Sequence, residues 1–356
     1  MTECLWDRLS RRERPIWLYG TGNGADKILD VLEVRGIPVQ GVFASDGFVR
    51  SRVFRGMPVR SYSDVRAEAG DDFSVLLAFG SAREDVIDFV RILDARHDLV
   101  IPEVPLYGGE LFDSAYFERH RTDLAEARAL LADERSRALF YSAVAFRLTG
   151  RLSCCLSDTE PMETSVRNLL ADQTIRTLVD GGAFRGDSAE IFVRTLRPDT
   201  VIAAEPDPST FKRLAYYAEQ EERARILPVN AALWDAKTVL PYSASGSRGS
   251  AEEGHGRRAK RTEVRCVTVD SLLTDKPLDF LKLDVEGAEE RALRGAVTAI
   301  RRDCPNLAVS LYHRTDDLFA LPRLVHELLP AHRLYLRRPR CLPMWDLTLY
   351  AVRTHA

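Results

Sequence analysis

Short apolar runs alternate with longer amphipathic stretches along most of the chain. The run Ile-Trp-Leu-Tyr at 16–19 leads into a glycine-containing turn, and apolar residues then recur at helical intervals until Gly36. A further helix is predicted at 82–95. Three further strands are predicted, at 38–44, 74–79 and 98–101. The pattern predicts a small, parallel α/β domain over residues 1–110.

After residue 110 the pattern first becomes helical and then returns to alternating strands and helices. Between Phe117 and Thr149 there is neither glycine nor proline, which predicts a helical linker over 111–150. Strands and helices alternate again over 151–356, as is typical of a parallel sheet. Strands are predicted at 176–180, 200–205, 225–230, 279–284, 306–311, 333–338 and 346–352. The last two are separated by a short loop with proline, so we expect them to pair antiparallel.

One insertion interrupts this alternation. Residues 243–262 are rich in glycine, serine and basic residues and lack apolar periodicity, which predicts a loop. Such a loop could close over an acceptor, with its arginines attracting an anionic glycan or nucleotide sugar. A permanently disordered loop fits its composition equally well.

Composition restricts the function. The 356 residues, 45% hydrophobic and 29% charged, indicate a globular protein with two domains. A net charge of −3 provides no basic field for nucleic acid. No apolar run reaches the roughly 20 residues of a membrane span, and the charged N-terminus is unlike a signal peptide, so we expect a cytoplasmic protein. The six cysteines show no metal or disulfide spacing.

The segment from Leu178 to Glu205 contains the most specific pattern. An apolar strand leads into a loop with Gly181, Gly182 and Gly186, then a helix and a second apolar strand. Glycines allow the backbone to approach a ligand closely. Asp180 and Asp187 flank the loop, where a pyrophosphate would be repelled.

We therefore expect a nucleoside without phosphates at this loop. S-adenosylmethionine fits, because its amino group and sulfonium are positive and its ribose offers a diol to Glu205. Glu205 ends the second strand 25 residues after Asp180, a typical interval for an acid that binds ribose. Alternatively, these acids are solvated or cap a helix.

Polar residues follow the later strands at the edge where open α/β sheets bind ligands. Asn230 is expected either to offer its amide to adenine or to form a plain turn. Asp284 and Glu286 are expected to bind the acceptor hydroxyl, the methionine part or a metal. His313 is either the base that accepts the acceptor proton or a structural histidine, with Asp316 or Asp317 orienting its ring.

Four of these segments together resemble the FkbM family of S-adenosylmethionine-dependent methyltransferases: VDGGAFRGDSAEIF, AAEPDP, DFLKLDVEGAEERALRGA and VSLYHRTDDLFALPRLV. The resemblance covers about residues 160–355. It implies a class I methyltransferase fold and O-methylation of sugar, polyketide or other secondary-metabolite hydroxyls. It further implies that Asp180, Gly182, Gly186 and Glu205 hold the cofactor and that Asp284 lies near the reaction centre.

The predicted fold is thus α/β, a class I methyltransferase sheet preceded by a smaller Rossmann-like domain. The predicted function is S-adenosylmethionine-dependent O-methylation of a small-molecule or glycan acceptor. A metal at Asp284 is a minority hypothesis, and no metal site is predicted. A homo-oligomer is compatible with the sequence.

The N-terminal loop supports a different class of function. Gly20, Gly22 and Ala25 match a GxGxxA nucleotide-binding pattern, although the region has room for only one mononucleotide-type half. The alternatives are therefore a nucleotide-dependent oxidoreductase, or a non-catalytic scaffold in which this domain serves docking.

Overall fold

A computed structural model describes residues 3–49, 53–105, 107–244, 260–274 and 276–354. The first sheet contains β1 Ile16–Tyr19, β2 Gly41–Ala44, β3 Val53–Phe54, β4 Met57–Ser61, β5 Ser74–Leu77 and β6 Asp98–Val100. The helices of this region are α1 Leu5–Ser10, α2 Asn23–Val34, α3 Tyr62–Ala69 and α4 Glu84–Arg96.

The first sheet has the strand order β3-β4-β2-β1-β5-β6. Its strands run parallel except for the short β3–β4 hairpin, which pairs antiparallel. The sequence pattern predicted β1, β2, β5 and β6 but not the hairpin. The hairpin is exposed or half-buried, so its residues lack the continuous apolar run by which the inner strands are recognised.

Five helices, described between residues 114 and 170, connect the two sheets. They are α5 Ser114–Arg119, α6 Arg121–Ala129, α7 Glu134–Thr149, α8 Leu152–Leu156 and α9 Met162–Leu170. Asp113 and Asp133 cap α5 and α7 by accepting from Tyr116 N and Ser136 N. Gly150 ends α7 with a φ of 63°, a left-handed conformation that glycine adopts without strain.

The second sheet lies within residues 151–356. Its strands are β7 Thr177–Gly181, β8 Thr200–Ala204, β9 Arg225–Val229, β13 Phe280–Leu283, β14 Asn306–Ser310, β15 Arg333–Arg337 and β16 Thr348–Val352. Its helices are α10 Asp187–Leu196, α11 Pro208–Gln220, α12 Val269–Leu273, α13 Glu289–Arg294, α14 Val297–Asp303 and α15 Asp317–Leu328.

The strand order of the second sheet is β15-β16-β14-β13-β7-β8-β9. The five strands β7, β8, β9, β13 and β14 are parallel, and β16 is inserted antiparallel between β14 and β15. The predicted antiparallel pairing of the last two strands is confirmed. The order reverses between β7 and β13, which creates the crevice at strand ends where ligands of open sheets bind.

A small side sheet was not predicted. It consists of β10 Ala232–Leu233, β11 Thr238–Ala244 and β12 Lys260–Val267, in the order β10-β12-β11. The antiparallel β11–β12 pair includes both ends of the predicted 243–262 loop, so those ends are strand rather than loop. The middle of that segment lies outside the described residues.

Apolar packing joins these layers. One large cluster of buried side chains contains residues of both sheets, such as Phe43 and Phe73 from the first and Leu281 and Leu283 from the second. Phe140 and Phe146 of α7 belong to the same cluster, so the linking helices are part of the core. Among the described helices, none combines the length and the apolar character that a membrane span requires.

Candidate active site

A cavity of about 280 Å³ opens at the carboxyl ends of β7, β8 and β13. Its wall combines the glycine turn after β7, the residues after β8 and β13, and part of the side sheet. Of the site residues predicted from sequence, Gly182, Asp187, Glu205, Asp284 and Glu286 line it. Asp180, Gly181, Gly186, Asn230 and His313 are not among its lining residues.

The glycine turn passes very close to the next strand connection. Gly182 has a φ of 71°, and a Cβ built on it would lie 1.8 Å from the Asp284 carbonyl oxygen. Gly186 has a φ of 100°, and its Cβ would lie 2.5 Å from the Tyr217 ring. These two positions therefore require glycine both for conformation and for space.

Beneath the turn lies a buried ion pair. Asp180 is fully buried, and its carboxylate lies 3.1 Å from Lys282 Nζ and accepts from Ser188 Oγ at 2.6 Å. Lys282 Nζ also donates to the carbonyl oxygens of Gly181 and Gly182, at 3.0 and 2.9 Å. Burial alone would lower the pKa of Lys282, but the Asp180 charge raises it. The pair fixes the shape of the turn, so Asp180 would act on a ligand only indirectly.

Glu205 lies directly after β8 with its carboxylate at the cavity wall. Its two oxygens accept from the backbone N–H groups of Phe184, at 3.0 Å, and Asp207, at 2.8 Å. Burial raises the pKa of Glu205 to about 7, against the effect of these two donors. A carboxylate held by two backbone donors is oriented for further hydroxyl donors, such as a ribose diol.

The Asn230 side chain does not line the cavity but bonds to the backbone of a neighbouring segment. Its Nδ2 donates to the carbonyl oxygens of Glu205 and Pro206, at 2.9 and 3.1 Å. The amide therefore ties the end of β9 to the segment after β8. The expected contact between Asn230 and adenine stays a prediction.

Asp284 follows β13 and lines the cavity. Its Oδ1 accepts from Ser310 Oγ at 3.0 Å and from the Tyr312 hydroxyl at 2.9 Å. Burial would raise the pKa of Asp284, but Lys282, His313 and the two hydroxyl donors together lower it. Asp284 is therefore an anion at neutral pH.

His313 lies behind this wall, enclosed by carboxylates. Its Nδ1 contacts Glu289 Oε1 at 2.8 Å, while Nε2 lies 3.5 Å from Asp284 Oδ1 and 3.4 Å from Glu286 Oε2. Burial would lower the pKa of His313, but the charges of Glu289 and Glu286 raise it well above its ordinary value.

The ring is therefore an imidazolium at neutral pH, a form that has no lone pair for a proton. Glu289, rather than Asp316 or Asp317, orients it. The role of His313 as base stays a prediction.

Three side chains of this group also lie within reach of a shared metal ion. Ligand atoms of Asp284, Glu289 and His313 lie within 4.8 Å of one another. One oxygen of Glu289 is held by Val285 N, at 2.9 Å, and by the histidine ring. The positive charge of the imidazolium balances the carboxylates in this arrangement. That the protein has no metal site here stays a prediction.

Several site residues were missed from the sequence. Lys282 is a single lysine in a buried strand, a signal that could have indicated a buried ion partner. Tyr107 and Tyr312 line the cavity, and the side sheet adds an apolar wall. That wall consists of Leu240, Pro241, Val264 and Cys266. No local pattern marks them, because only the side sheet brings them to the cavity.

Comparison with known proteins agrees with this geometry. A family model described as the methyltransferase FkbM domain matches residues 180–338, which include the glycine turn and the cavity edge. This match confirms the predicted resemblance to the FkbM family and supports a methyltransferase role. Among proteins with curated functions, none matches the sequence.

Solved structures support the FkbM methyltransferase fold. The chain is similar to methyltransferase FkbM from Methylobacillus flagellatus KT, with 20% identity and a TM-score of 0.74, over 97% of this chain and 92% of the other. It is also similar to an rRNA methylase from Streptococcus thermophilus, with 12% identity and a TM-score of 0.36, over 55% of this chain and 98% of the other. The first match confirms the predicted α/β fold over nearly the whole chain, whereas the second is too distant to support an argument.

Proposed function

We propose that this protein transfers the methyl group of S-adenosylmethionine to a hydroxyl of a sugar, glycan or secondary metabolite. The observation that carries the proposal is Glu205, a carboxylate held by two backbone donors at the end of the second strand beside a glycine turn. This arrangement suits a ribose diol. The cavity of about 280 Å³ is of a size for a nucleoside.

The remaining acids suit a cationic ligand. Asp187 and Asp284 line the same cavity, where they would attract a sulfonium and an ammonium and would repel phosphate. The close approach of the Gly182 backbone to Asp284 leaves no room for a side chain between them. The residues present therefore fit S-adenosylmethionine better than a dinucleotide.

The proposed chemistry is an in-line displacement. S-adenosylmethionine would supply an electrophilic methyl group on its sulfonium. As the acceptor oxygen would form its bond to that carbon, the carbon–sulfur bond would break and S-adenosylhomocysteine would leave with a neutral sulfur. The hydroxyl proton becomes strongly acidic in this step, so a carboxylate with a lowered pKa is a sufficient acceptor. Asp284, anionic and at the cavity wall, would take that proton and later release it to solvent.

Alignment is the larger contribution of the protein. Holding the acceptor oxygen, the methyl carbon and the sulfur in line can contribute up to roughly 7–11 kcal/mol. His313 would assist by stabilising the Asp284 anion from behind the wall.

Calorimetry and a methyl-transfer screen test this function. We expect the protein to bind S-adenosylmethionine and to transfer labelled methyl to one or more hydroxyl compounds from a panel of sugars, glycolipids and secondary metabolites. Asp284→Asn should lower turnover by about 10²- to 10⁴-fold. Failure of the protein to bind S-adenosylmethionine would refute the cofactor assignment, and transfer only to nitrogen or carbon acceptors would refute O-methylation.

A further inference from the structure

The N-terminal sheet presents its strand-end edge to the methyltransferase domain. Ser81, four residues after β5, exchanges backbone hydrogen bonds with Leu342 in both directions, at 2.7 and 2.8 Å. A Cβ built on Gly80 would lie 2.3 Å from the Trp345 ring. The cavity between the Gly24 region and Trp345 is only about 40 Å³, too small for a nucleotide. The edge that would bind a nucleotide is thus used for packing.

The segment after β6 continues from this edge to the active-site cavity. The Tyr107 carbonyl accepts from Arg314 Nη1 at 2.9 Å, and Arg314 Nε donates to the Gly287 carbonyl at 2.6 Å. A Cβ built on Gly287 would lie 3.1 Å from Tyr107 Cβ. Arg314 therefore fastens the N-terminal segment to the loop that carries Glu286.

The Tyr107 side chain faces the acids of that loop. Its hydroxyl donates to Glu286 Oε2, and its ring meets the His313 ring edge-on, with centroids 5.5 Å apart and an interplanar angle of 79°. Both Tyr107 and Glu286 line the cavity. The Tyr107 hydroxyl can therefore orient the Glu286 carboxylate at the cavity wall.

Glu286 itself has an unusual backbone. Its φ of 57° lies in the left-handed region, which a residue with a side chain rarely adopts. The conformation is retained beside Gly287, with its φ of 90°, and turns the side chain towards Tyr107 and His313. The same carboxylate oxygen also lies 3.4 Å from His313 Nε2, a cation to which it could turn if the Tyr107 hydroxyl were removed.

We propose that Tyr107 is a positioning residue through which the N-terminal domain completes the active site, by holding the Glu286 carboxylate at the cavity wall. This inference rests on the proposed function, because it assumes that the methyl group is transferred beside the Glu286 carboxylate. The N-terminal domain then has a role in transfer that requires no nucleotide of its own.

Two cofactor analogues test the proposal without an acceptor. Sinefungin has a carbon bearing an ammonium in place of the sulfonium methyl, whereas S-adenosylhomocysteine has a neutral sulfur there. Calorimetry on the full chain should show sinefungin binding at least about fivefold more tightly, because its ammonium reaches Asp284 and Glu286. In Tyr107→Phe, Glu286 should turn to the imidazolium, and this preference should fall to about twofold or less.

The affinity for S-adenosylhomocysteine should change less than about twofold in Tyr107→Phe. Tyr19→Phe is the matched control, because it removes a tyrosine hydroxyl bonded to Ser45 in the same domain, away from the cavity. It should keep the wild-type preference for sinefungin, whereas Glu286→Gln should lower that preference to about twofold or less, as Tyr107→Phe does. An unchanged preference in Tyr107→Phe would overturn the proposal, whereas failure of the wild type to bind either analogue would refute the proposed function itself.

Discussion

Glu205 is the residue whose protonation bears most directly on the proposed binding of S-adenosylmethionine. Its carboxyl is buried, and burial raises its pKa to about 7, so a large fraction is protonated at neutral pH before a ligand binds. A ribose diol donates two hydroxyl groups and therefore prefers the carboxylate. In the proposed complex, binding and deprotonation of Glu205 would therefore be coupled.

The affinity for S-adenosylmethionine should accordingly rise with pH. With a pKa of about 7, roughly a tenth of Glu205 is ionised at pH 6 and nine tenths at pH 8, so the dissociation constant should fall up to about tenfold. Calorimetry between pH 6 and pH 8 measures this change in the dissociation constant. For the ligand-free protein the sign is opposite: the raised pKa means that Glu205 favours folding below about 4.5, and this contribution is lost as the pH rises to about 7.

Glu205→Gln keeps the size of the side chain and removes its titration. It should weaken binding at pH 8 by about 1.5–3 kcal/mol and abolish most of the pH dependence. Glu219→Gln, on the exposed face of α11, is the matched control and should retain both. A pH dependence that persists in Glu205→Gln would assign it to another group.

At the scale of the elements, the turn between β7 and α10 is tightly constrained. Gly182 N donates to the Ala204 carbonyl at 3.0 Å, and Lys282 Nζ holds the Gly182 carbonyl at 2.9 Å. On its other side the Asp284 carbonyl occupies the space of a Cβ. The turn is therefore fixed by β8 and β13, strands that lie on either side of β7 in the sheet.

Gly182→Ala should cost both conformational strain and a backbone displacement. Gly36→Ala separates the two, because Gly36 has a φ of 63° at the end of α2, with nothing within 4 Å of its Cβ position. Denaturant unfolding should show a loss of about 1–2 kcal/mol for Gly36→Ala. The loss for Gly182→Ala should be larger by about 1–3 kcal/mol, together with lost affinity for S-adenosylmethionine. Equal losses of stability in the two variants would mean that the turn can move away from the Asp284 carbonyl at no further cost.

At the scale of the whole molecule, α7 joins the two sheets through a buried arginine. Arg147 is only 4% exposed, and its guanidinium lies 3.1 Å from Glu103, which follows the first sheet. It also donates to the Thr315 carbonyl, at 2.7 Å, beyond the last parallel strand of the second sheet. Burial raises the pKa of Glu103, and the Arg147 charge opposes that rise. One side chain therefore contributes to the stability of both parts.

Arg147→Met should lower the free energy of unfolding by about 1–3 kcal/mol, because the partly buried Glu103 loses its cation and the Thr315 carbonyl loses its donor. The double variant Arg147→Met/Glu103→Gln should recover part of this loss. Arg121→Met, an exposed position on α6, should change stability by less than about 0.5 kcal/mol. Denaturant unfolding measures all three, and a double variant no more stable than Arg147→Met would show that the ion pair is not the cause.

The sequence by itself determined the strands and helices with strong periodicity, the glycine turn and the acids at the strand ends. These follow from local properties: β7, β8, β13 and β14 are short apolar runs because both faces of the sheet are covered, and Gly182 must be glycine for its own φ. The antiparallel order of the last two strands also follows from a loop too short for a crossover.

The tertiary structure alone decided which of these residues meet. Lys282 with Asp180, His313 between three carboxylates, and Tyr107 against Glu286 are contacts between residues 24 to 179 positions apart. No local period specifies such pairs, since they depend on strand order and on how the two sheets pack. For the same reason the side sheet was missed, because its residues become a cavity wall only when β11 pairs with β12 beside the main sheet.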